Sequence, residues 1–511
     1  MVTPFRHFGI STFLLFLMIA IGSALPQSLR AQVVSDPLLY THQALNYTEH
    51  AAGTFKPSVG LPGTSFADSY ASILDNPASG ALFSKSFFDV GFSLNGSNEK
   101  TDFLGNKPTT DESSFSVNNF GVIYKFPTDR GSLSIGAGYQ QQGYFQRSMS
   151  INGFNASHSI TDQFKIPGSY YEAPAFDAYA LDYGDLDETY LESIFRVGLN
   201  PGEFFGIDQQ ADILESGTSG EFNAYLATEF QRNLFVGISL GLMVSDRRYE
   251  RTFLEVDTDN QYSGEFVDTN EDGNGDTDLD QVLLLDDIAS EASAPSIRMG
   301  AIYKIGNSAR VGVSFRLPTV MTVTESYDAT IRSTMDNGIF FQGSTSGDFE
   351  YKIEQPGMLS LGFSFGSVDG LAGSFSFDRT NYSGIELRYE GVGTFLDEKE
   401  DTRYIQNNFQ EVWDARGGLS YHFDSGLRVM WSYSNNPTRF KSGGVDRRFI
   451  SLGAELPVSQ NALLILGFQR SGFDQESVLY NYEDGFFDYK TQTVNRDVLV
   501  YSAQGTVRFR F

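Results

Sequence analysis

Apolar and polar residues alternate along much of the chain, and the alternation is clearest at the carboxyl end. From Leu499 to Phe511 every second residue is apolar or small, and the residues between them are mostly polar. Successive side chains of a β-strand point to opposite faces, so a period of two gives one apolar and one polar face. We therefore predict that 495–511 forms such a strand.

The same alternation recurs along the chain and predicts fourteen strands. They span 87–96, 114–126, 131–147, 221–231, 233–255, 295–305, 308–330, 349–366, 371–390, 411–423, 426–438, 445–456, 461–475 and 495–511. The turns between them are short on one side and long on the other. The long connections are 97–113, 148–220, 256–294, 331–348, 391–410, 439–444 and 476–494.

This sorting of loops by length is typical of an outer-membrane β-barrel, which has short periplasmic turns and long extracellular loops. A terminal Phe on the last strand also resembles the carboxyl-terminal signal of such barrels. A secreted β-sandwich is the alternative, but it has no reason to sort its loops. The pattern therefore predicts an all-β, fourteen-stranded antiparallel barrel that spans the outer membrane of a Gram-negative bacterium.

The amino end predicts export. Arg6 and His7 precede an apolar run, 13–21, that is too short to span a bilayer as a helix, and small residues follow up to Ala31. This order is typical of a secretory signal peptide, which we place at 1–31. Cleavage after Ala24 is an alternative, and so is an uncleaved membrane anchor.

Composition narrows the classes of function. The 511 residues include 45 Phe, 26 Tyr and no Cys, and the formal net charge is −28. An acidic chain is unsuited to nucleic acid, whose phosphates require Lys and Arg. The lack of Cys excludes thiolate metal sites and cysteine nucleophiles. None of the five His lies beside a serine motif, so we predict that the protein is not an enzyme.

Residues 32–86 precede the first strand and are not strand-like, and 87–511 form the barrel. A barrel of this size leaves a lumen, and we expect residues 32–86 to occupy it as a hatch. Pro77 restrains Asn76 to extended conformations, so Asp75, Asn76, Pro77 and Ala78 are predicted to form a rigid corner. A gating role and a simple turn both remain open for these four residues.

The segment 60–82 resembles the hatch of the FadL/TodX-type family. The matching residues are Ala67-Asp68 and Asn76-Pro77-Ala78, whereas Leu61-Pro62 interrupts the usual glycine-rich stretch. The family consists of fourteen-stranded outer-membrane transporters for long-chain fatty acids and other hydrophobic molecules. The resemblance implies hydrophobic small molecules, the bilayer with its lipopolysaccharide, and the barrel-assembly machinery as partners, with no nucleic acid.

The loop 148–220 is acidic and rich in aromatic residues, and 187–197 is predicted to be a short amphipathic helix. In the family, loops of this kind form a greasy groove that first captures the substrate. A cap that packs on itself is the alternative. The candidate capture residues are Phe176, Tyr179, Tyr190, Phe195, Phe204 and Phe205.

The loop 256–294 contains half of a calcium-binding pattern. Oxygen-bearing side chains fall at positions 1, 3, 5 and 9, with Gly273 at position 6, but Leu279 replaces the usual Glu at position 12. A weak Ca²⁺ site and a solvated acidic loop are both consistent with this pattern; no other cofactor is expected. The candidate ligands are Asp268, Asn270, Asp272, Asn274, Asp276 and Asp278.

Together these features predict a passive transporter for hydrophobic small molecules, such as long-chain fatty acids, that the hatch gates. A porin for polar solutes is one alternative. A barrel of a secretion system that binds proteins with its loops is another.

Overall fold

The computed structural model places most of the chain in a single barrel. The predicted signal peptide, 1–31, and the first part of the predicted hatch, 32–60, lie outside the described residues. Within the described ranges no helix is long and apolar enough to cross a membrane. The structure describes residues 61–166, 169–184, 189–197, 203–269, 274–366, 370–389, 395–483 and 489–511.

Fourteen antiparallel strands close the barrel, because β1 pairs with β2 on one side and with β14 on the other. This confirms the predicted fold. Three of the strands are interrupted, and for each of these the bounds of both segments are given. The strands are β1 Phe87–Asp102, β2 Thr109–Phe126, β3 Leu133–Asn155, β4 Ile207–Gln231, β5 Leu234–Val256, β6 Leu279–Ile305, β7 Ala309–Arg316 with Thr319–Met335, β8 Phe340–Gln355 with Met358–Gly366, β9 Leu371–Asn381 with Glu386–Tyr389, β10 Glu411–His422, β11 Arg428–Asn436, β12 Arg447–Pro457, β13 Ala462–Glu483 and β14 Tyr489–Arg510.

The strands carry their apolar side chains on the outside, as a wall that faces lipid must. On β1, Phe88, Phe92 and Leu94 are 40%, 43% and 59% exposed, whereas the alternate residues Asp89 and Ser93 are buried inside. The barrel thus inverts the pattern of a water-soluble sheet.

Several strands are longer than the sequence predicted, and the outer loops are correspondingly shorter. The predicted loop 331–348 is wrong, because β7 and β8 are joined by 336–339 alone, and the second part of the predicted loop 256–294 belongs to β6. At the top of β6, Val282 and Leu284 are buried inside while Leu283 faces outward. Apolar residues on both faces hide the alternation from which strands are recognised.

Two folded segments fill the lumen. The hatch, 61–86, contains α1 (Ser72–Asp75) and a 3₁₀ helix, Pro77–Leu82. The cap, which comprises the described residues of 156–206, contains α2 (Thr161–Phe164), α3 (Glu172–Asp177), a ribbon of Leu181–Tyr183 with Leu191–Ser193, and α4 (Ile194–Val197). The predicted helix at 187–197 is therefore wrong in part, since among its described residues, 189–197, only Ile194–Val197 is helical.

The cap packs against the inner faces of the strands at their outer ends. Its core joins cap residues to wall residues, including Phe164, Tyr171, Ala175, Phe195, Phe253, Leu284, Ile331 and Tyr480. A further helix, α5 (Phe395–Asn408), covers the end of β9, where its Ile405 is buried beside Leu387. The barrel is thus filled from above by an apolar core and from below by the hatch.

Candidate functional site

The hatch lies against glycines of the barrel wall. Gly237, Gly300 and Gly312 lie on the neighbouring strands β5, β6 and β7. A Cβ atom on Gly300 would lie 1.9 Å from Oδ1 of Asn76, and one on Gly312 would lie 1.9 Å from the carbonyl oxygen of Thr64. No side chain fits at these distances, so glycine is what lets the hatch backbone reach the wall.

Asn76 ties the hatch to this wall. Its amide Nδ2 donates to the carbonyl oxygens of Thr64 at 2.8 Å and of Val313 at 3.1 Å. Its Oδ1 accepts from the backbone N–H of Ala78 at 3.0 Å, which caps the 3₁₀ helix that begins at Pro77. The structure thus brings Asn76, Pro77 and Ala78 together at one corner of the hatch, on β6 and β7.

Asp75 connects the same corner to a second part of the wall. Its carboxylate accepts from Arg416 of β10 at 2.9 and 3.2 Å and from the backbone N–H of Gly63 at 2.8 Å. Arg416 also donates to Asp378 of β9 at 2.8 and 3.1 Å. One guanidinium therefore holds both a wall carboxylate and a hatch carboxylate in a buried position.

The far side of the hatch is polar and less closely packed. Arg508 donates to both oxygens of Asp89 at 2.8 Å and to the carbonyl oxygen of Asp68 at 2.7 Å. Beside them is a cavity of about 40 Å³ lined by residues that include Ser69 and Gln504. A polar cavity of this size has room for water, so this side of the hatch is packed less tightly against the wall than the glycine-lined side.

The wall is not continuous between β2 and β3. Backbone pairing begins at Phe126 with Leu133 and stops at Asn119 with Gln140, whereas β3 remains paired with β4 as far as Asn155. Side chains bridge the break, because Oε1 of Gln141 accepts from Oγ of Ser116 at 3.0 Å. This lateral gap was not predicted from the sequence, although the polar run 140–142 interrupts the alternation of β3.

A small chamber of about 60 Å³ lies in the lumen above the glycine-lined wall, and Gln142, at the bulge of β3, lines it. Arg298 of β6 and Arg316 of β7 are directly paired across neighbouring strands. Arg298 donates to both oxygens of Glu221 at 2.5 and 2.7 Å. The side chain of Arg316 has no ion pair or hydrogen bond with any residue that the structure describes, and its Nε is buried. Because like charges placed opposite one another are unfavourable, this pair can accept one more anion.

The six predicted capture residues divide into two groups. Phe195 is only 1% exposed and packs in the cap core, so contact with captured substrate would require the cap to open, and its role in capture stays a prediction. Tyr179 packs against Phe341 with ring centroids 4.5 Å apart, and Phe204 lies under the guanidinium of Arg196. The exposed members are Phe176, Tyr190 and Phe205, at 39%, 51% and 37%.

The candidate calcium ligands are only partly described, because Asn270 and Asp272 lie outside the described residues. Asp276 accepts from the backbone N–H of Thr269 at 3.1 Å, and Asp278 accepts from the N–H of Gly264 at 2.7 Å. Asp268 and Asn274 also have partners. Among the described residues no three metal-ligating side chains are grouped closely enough to hold an ion. Calcium binding at this loop stays a prediction.

The sequence matches the model of one protein family. The family described as outer membrane protein transport protein (OMPP1/FadL/TodX) matches residues 213–511, more than half of the chain. No curated protein matches the whole sequence closely enough to count as a relative.

Solved structures with low sequence identity share the fold. A Pseudomonas aeruginosa FadL homologue superimposes with a TM-score of 0.51 at 11% identity, over 90% of this chain and 99% of that one. The Pseudomonas putida toluene transporter TodX gives 0.49 at 12% identity, again over 90% and 99%. The first of these supports the same barrel architecture.

Proposed function

This chain belongs to the OMPP1/FadL/TodX family of outer-membrane transporters for hydrophobic compounds, and we propose that its substrates are amphipathic molecules with a hydrophobic body and an anionic head. The resemblance in the hatch and the fourteen-stranded barrel point to the family. The chamber, which contains the unpaired side chain of Arg316, supports the anionic head. Long-chain fatty acids have the required chemistry.

The observation that carries the proposal is the unpaired Arg316. A guanidinium binds a carboxylate through two parallel hydrogen bonds. The acids near it, Glu221 and Asp378, are already engaged by Arg298 and Arg416. The chamber wall also includes Met243, Met321 and Tyr382, which offer apolar surface to a hydrocarbon chain.

The route follows from what closes the lumen. The cap closes it from above and the hatch from below, while the gap between β2 and β3 opens beside Gln142 at the edge of the chamber. The break beside Gln142 therefore offers a hydrophobic substrate in the chamber a sideways route to the bilayer, whereas the hatch lies between the chamber and the periplasm. Transfer of apolar surface out of water favours this step without an energy source.

Because the cap and the hatch fill the lumen, the structure argues against a porin for polar solutes. A porin for polar solutes requires an open lumen, whereas the described lumen has an apolar core at one level and the docked hatch at the other. No feature of the described loops favours the protein-binding alternative over a transporter.

The test is uptake into proteoliposomes of a long-chain fatty acid, the matching long-chain alcohol and a small sugar. We expect the acid and the alcohol to enter and the sugar to be excluded. In the variant Arg316→Met, which removes the charge and keeps much of the volume, uptake of the acid should fall about tenfold, the cost of roughly one charged hydrogen bond. Uptake of the alcohol should stay the same.

The matched control is Arg332→Met, which removes an exposed arginine of β7 that hydrogen-bonds Gln342. It should leave both uptakes unchanged. Equal loss of acid and alcohol uptake in Arg316→Met would refute the anionic head group but not the transporter. Sugar uptake by the unmodified protein would show a porin, and uptake of neither lipid would favour a protein-binding role.

A further inference from the structure

The cap is joined to the barrel wall by two buried polar clusters of different charge. In the first, Arg251 of β5 donates to Asp286 of β6 at 2.6 Å and to the hydroxyl of Tyr171 of the cap at 2.7 Å. A cation and an anion are thus present together. In the second, the acid is Glu255 of β5, and its partners are uncharged.

Glu255 is buried and accepts only from neutral donors. They are the backbone N–H of Ile160 at 2.8 Å, Nε2 of Gln209 at 2.7 Å and Oγ of Ser159, which makes a short contact. No cation bonds this carboxyl in the part of the chain that the structure describes. An ionised carboxylate in such a place is costly, because neither water nor a countercharge stabilises it.

A protonated carboxyl fits the same surroundings. Its proton can be donated to Ser159, which begins a row of hydroxyls that continues through Thr161 at 2.7 Å to Ser193 at 2.6 Å. All three residues belong to the cap, whereas Glu255 belongs to the wall. The cluster therefore joins the cap to the wall best when Glu255 carries its proton.

Other ionisable groups face this cluster from each neighbouring element. Asp162 of the cap is held by Arg196 at 3.1 Å and lies near Lys165. On β13, the hydroxyl of Tyr480 accepts from Gln209 at 2.6 Å and lies 3.0 Å from Nδ1 of His158.

From the loop 257–278, Tyr262 faces Glu255 as well. Of the cations in these groups, Arg196 directs its hydrogen bonds in the cluster to Asp162, and Lys165 lies beside the same carboxylate. Glu255 is therefore left without a countercharge of its own.

We propose that Glu255 is a proton-dependent latch that keeps the cap closed over the chamber and releases it when the carboxyl ionises. The inference deepens the proposed function, since it concerns access to the same chamber. It differs from that proposal in its test, which measures opening of the cap and requires no substrate.

The position of the group allows it to respond to the medium. A membrane-spanning strand uses about 9–11 residues, and Glu255 is near the outer end of a strand that begins at Leu234, so it lies above the bilayer. Burial raises the pKa of Glu255 from 4.5 to about 7, partly offset by its hydrogen bonds, and Asp162 raises it further. Because the closed form binds the proton more tightly than the open form, closure is stabilised fully below pH 4.5 and weakens as the pH rises through 7.

The experiment uses a cysteine as a reporter, which the cysteine-free chain makes unambiguous. Ala178→Cys places a thiol in the cap core, where the native residue is 0% exposed, and Tyr190→Cys places one at a position that is 51% exposed. The rate of maleimide labelling at Ala178→Cys is divided by that at Tyr190→Cys, which removes the effect of pH on the thiol itself.

With a pKa of about 7 in the closed form and 4.5 in the open form, this ratio should rise about tenfold between pH 6 and pH 8.5. In the Glu255→Gln background the ratio should not change with pH. Exchange of the Ile160 amide proton in the unmodified protein, corrected for the intrinsic pH dependence of exchange, should show the same rise and does not depend on whether the variant folds.

A flat ratio in the protein with Glu255 would overturn the proposal, and so would a pH dependence that survives Glu255→Gln. Neither result would bear on the role of Arg316. Conversely, failure of the fatty-acid uptake test would leave the labelling result intact, so the two proposals can fail separately.

Discussion

The hatch and the cap both fill the lumen, but the balance of polar and apolar contacts differs between them. The hatch buries many polar side chains, among them Thr64, Asp68, Asp75 and Asn76, and each of these four bonds another part of the hatch or the wall. The cap buries mainly large apolar residues, such as Phe164 and Phe195. Directional contacts can be lost one at a time, whereas a packed core opens as a unit. The hatch is therefore suited to small local movements, and the cap to a switch between closed and open.

Removing the arginine that holds the hatch should have the largest effect. Arg416→Met leaves Asp75 and Asp378 buried without their cation, which costs about 3–5 kcal/mol. The hatch should leave its place, and the barrel should conduct ions in a planar bilayer. Arg379→Met, which breaks an exposed ion pair with Glu411 on the outer face, is the control and should remain closed. If the Arg416→Met barrel conducts no more ions than the unmodified protein, the glycine-lined contact is sufficient to hold the hatch in place.

A cavity in the cap should have the next largest effect and should spare the hatch. Phe195→Ala removes a buried ring and should destabilise the cap by about 3 kcal/mol. Hydrogen exchange should accelerate across α2 and α3 and stay unchanged at residues 72–82. Tyr190→Ala, at an exposed position, serves as the comparison and should alter neither region. Faster exchange in the hatch as well would show that the two segments are one cooperative unit.

A methyl group at the glycine-lined contact should cost less free energy than either Arg416→Met or Phe195→Ala. Gly312→Ala places a Cβ 1.9 Å from the carbonyl oxygen of Thr64, and relief of this clash should cost the docked hatch about 1–3 kcal/mol. Protection of the hatch amides should fall while that of the cap is unchanged. Gly472→Ala, where the nearest atom is 3.8 Å away, is the matched substitution and should have no effect. Equal protection in both variants would show that the hatch is not seated as closely as the structure indicates.

The alternation of residues predicted the wall well where lipid is outside and polar groups are inside. It failed at the top of β6, because there Val282 and Leu284 pack on the cap and are as apolar as their outward neighbours. The strand continues, but its two faces no longer differ in polarity. Such an extension depends on what fills the lumen, which a single strand does not encode.

The candidate site was predictable only where its residues are close in sequence. Asn76-Pro77-Ala78 forms a local corner, and its turn chemistry was visible. The partner of Asp75 is Arg416, which is 341 positions away, and a single sequence has no signal that would join them. Arg316 is one arginine among many until its lack of a partner is seen. The glycines at the hatch contact are likewise hidden among 51 in the chain.

The seam between β2 and β3 has a consequence for assembly of the barrel. A strand edge with free N–H and C=O groups is a template for pairing with another chain. Here side chains occupy part of that edge: Oγ1 of Thr110 donates to the carbonyl oxygen of Ser148, and Oγ1 of Thr101 donates to that of Ser150 at 2.7 Å. Hydroxyl groups satisfy the backbone without forming a ladder that a foreign strand could extend. The chain thereby keeps an interruption in its wall while leaving less of a free strand edge to which another chain could pair.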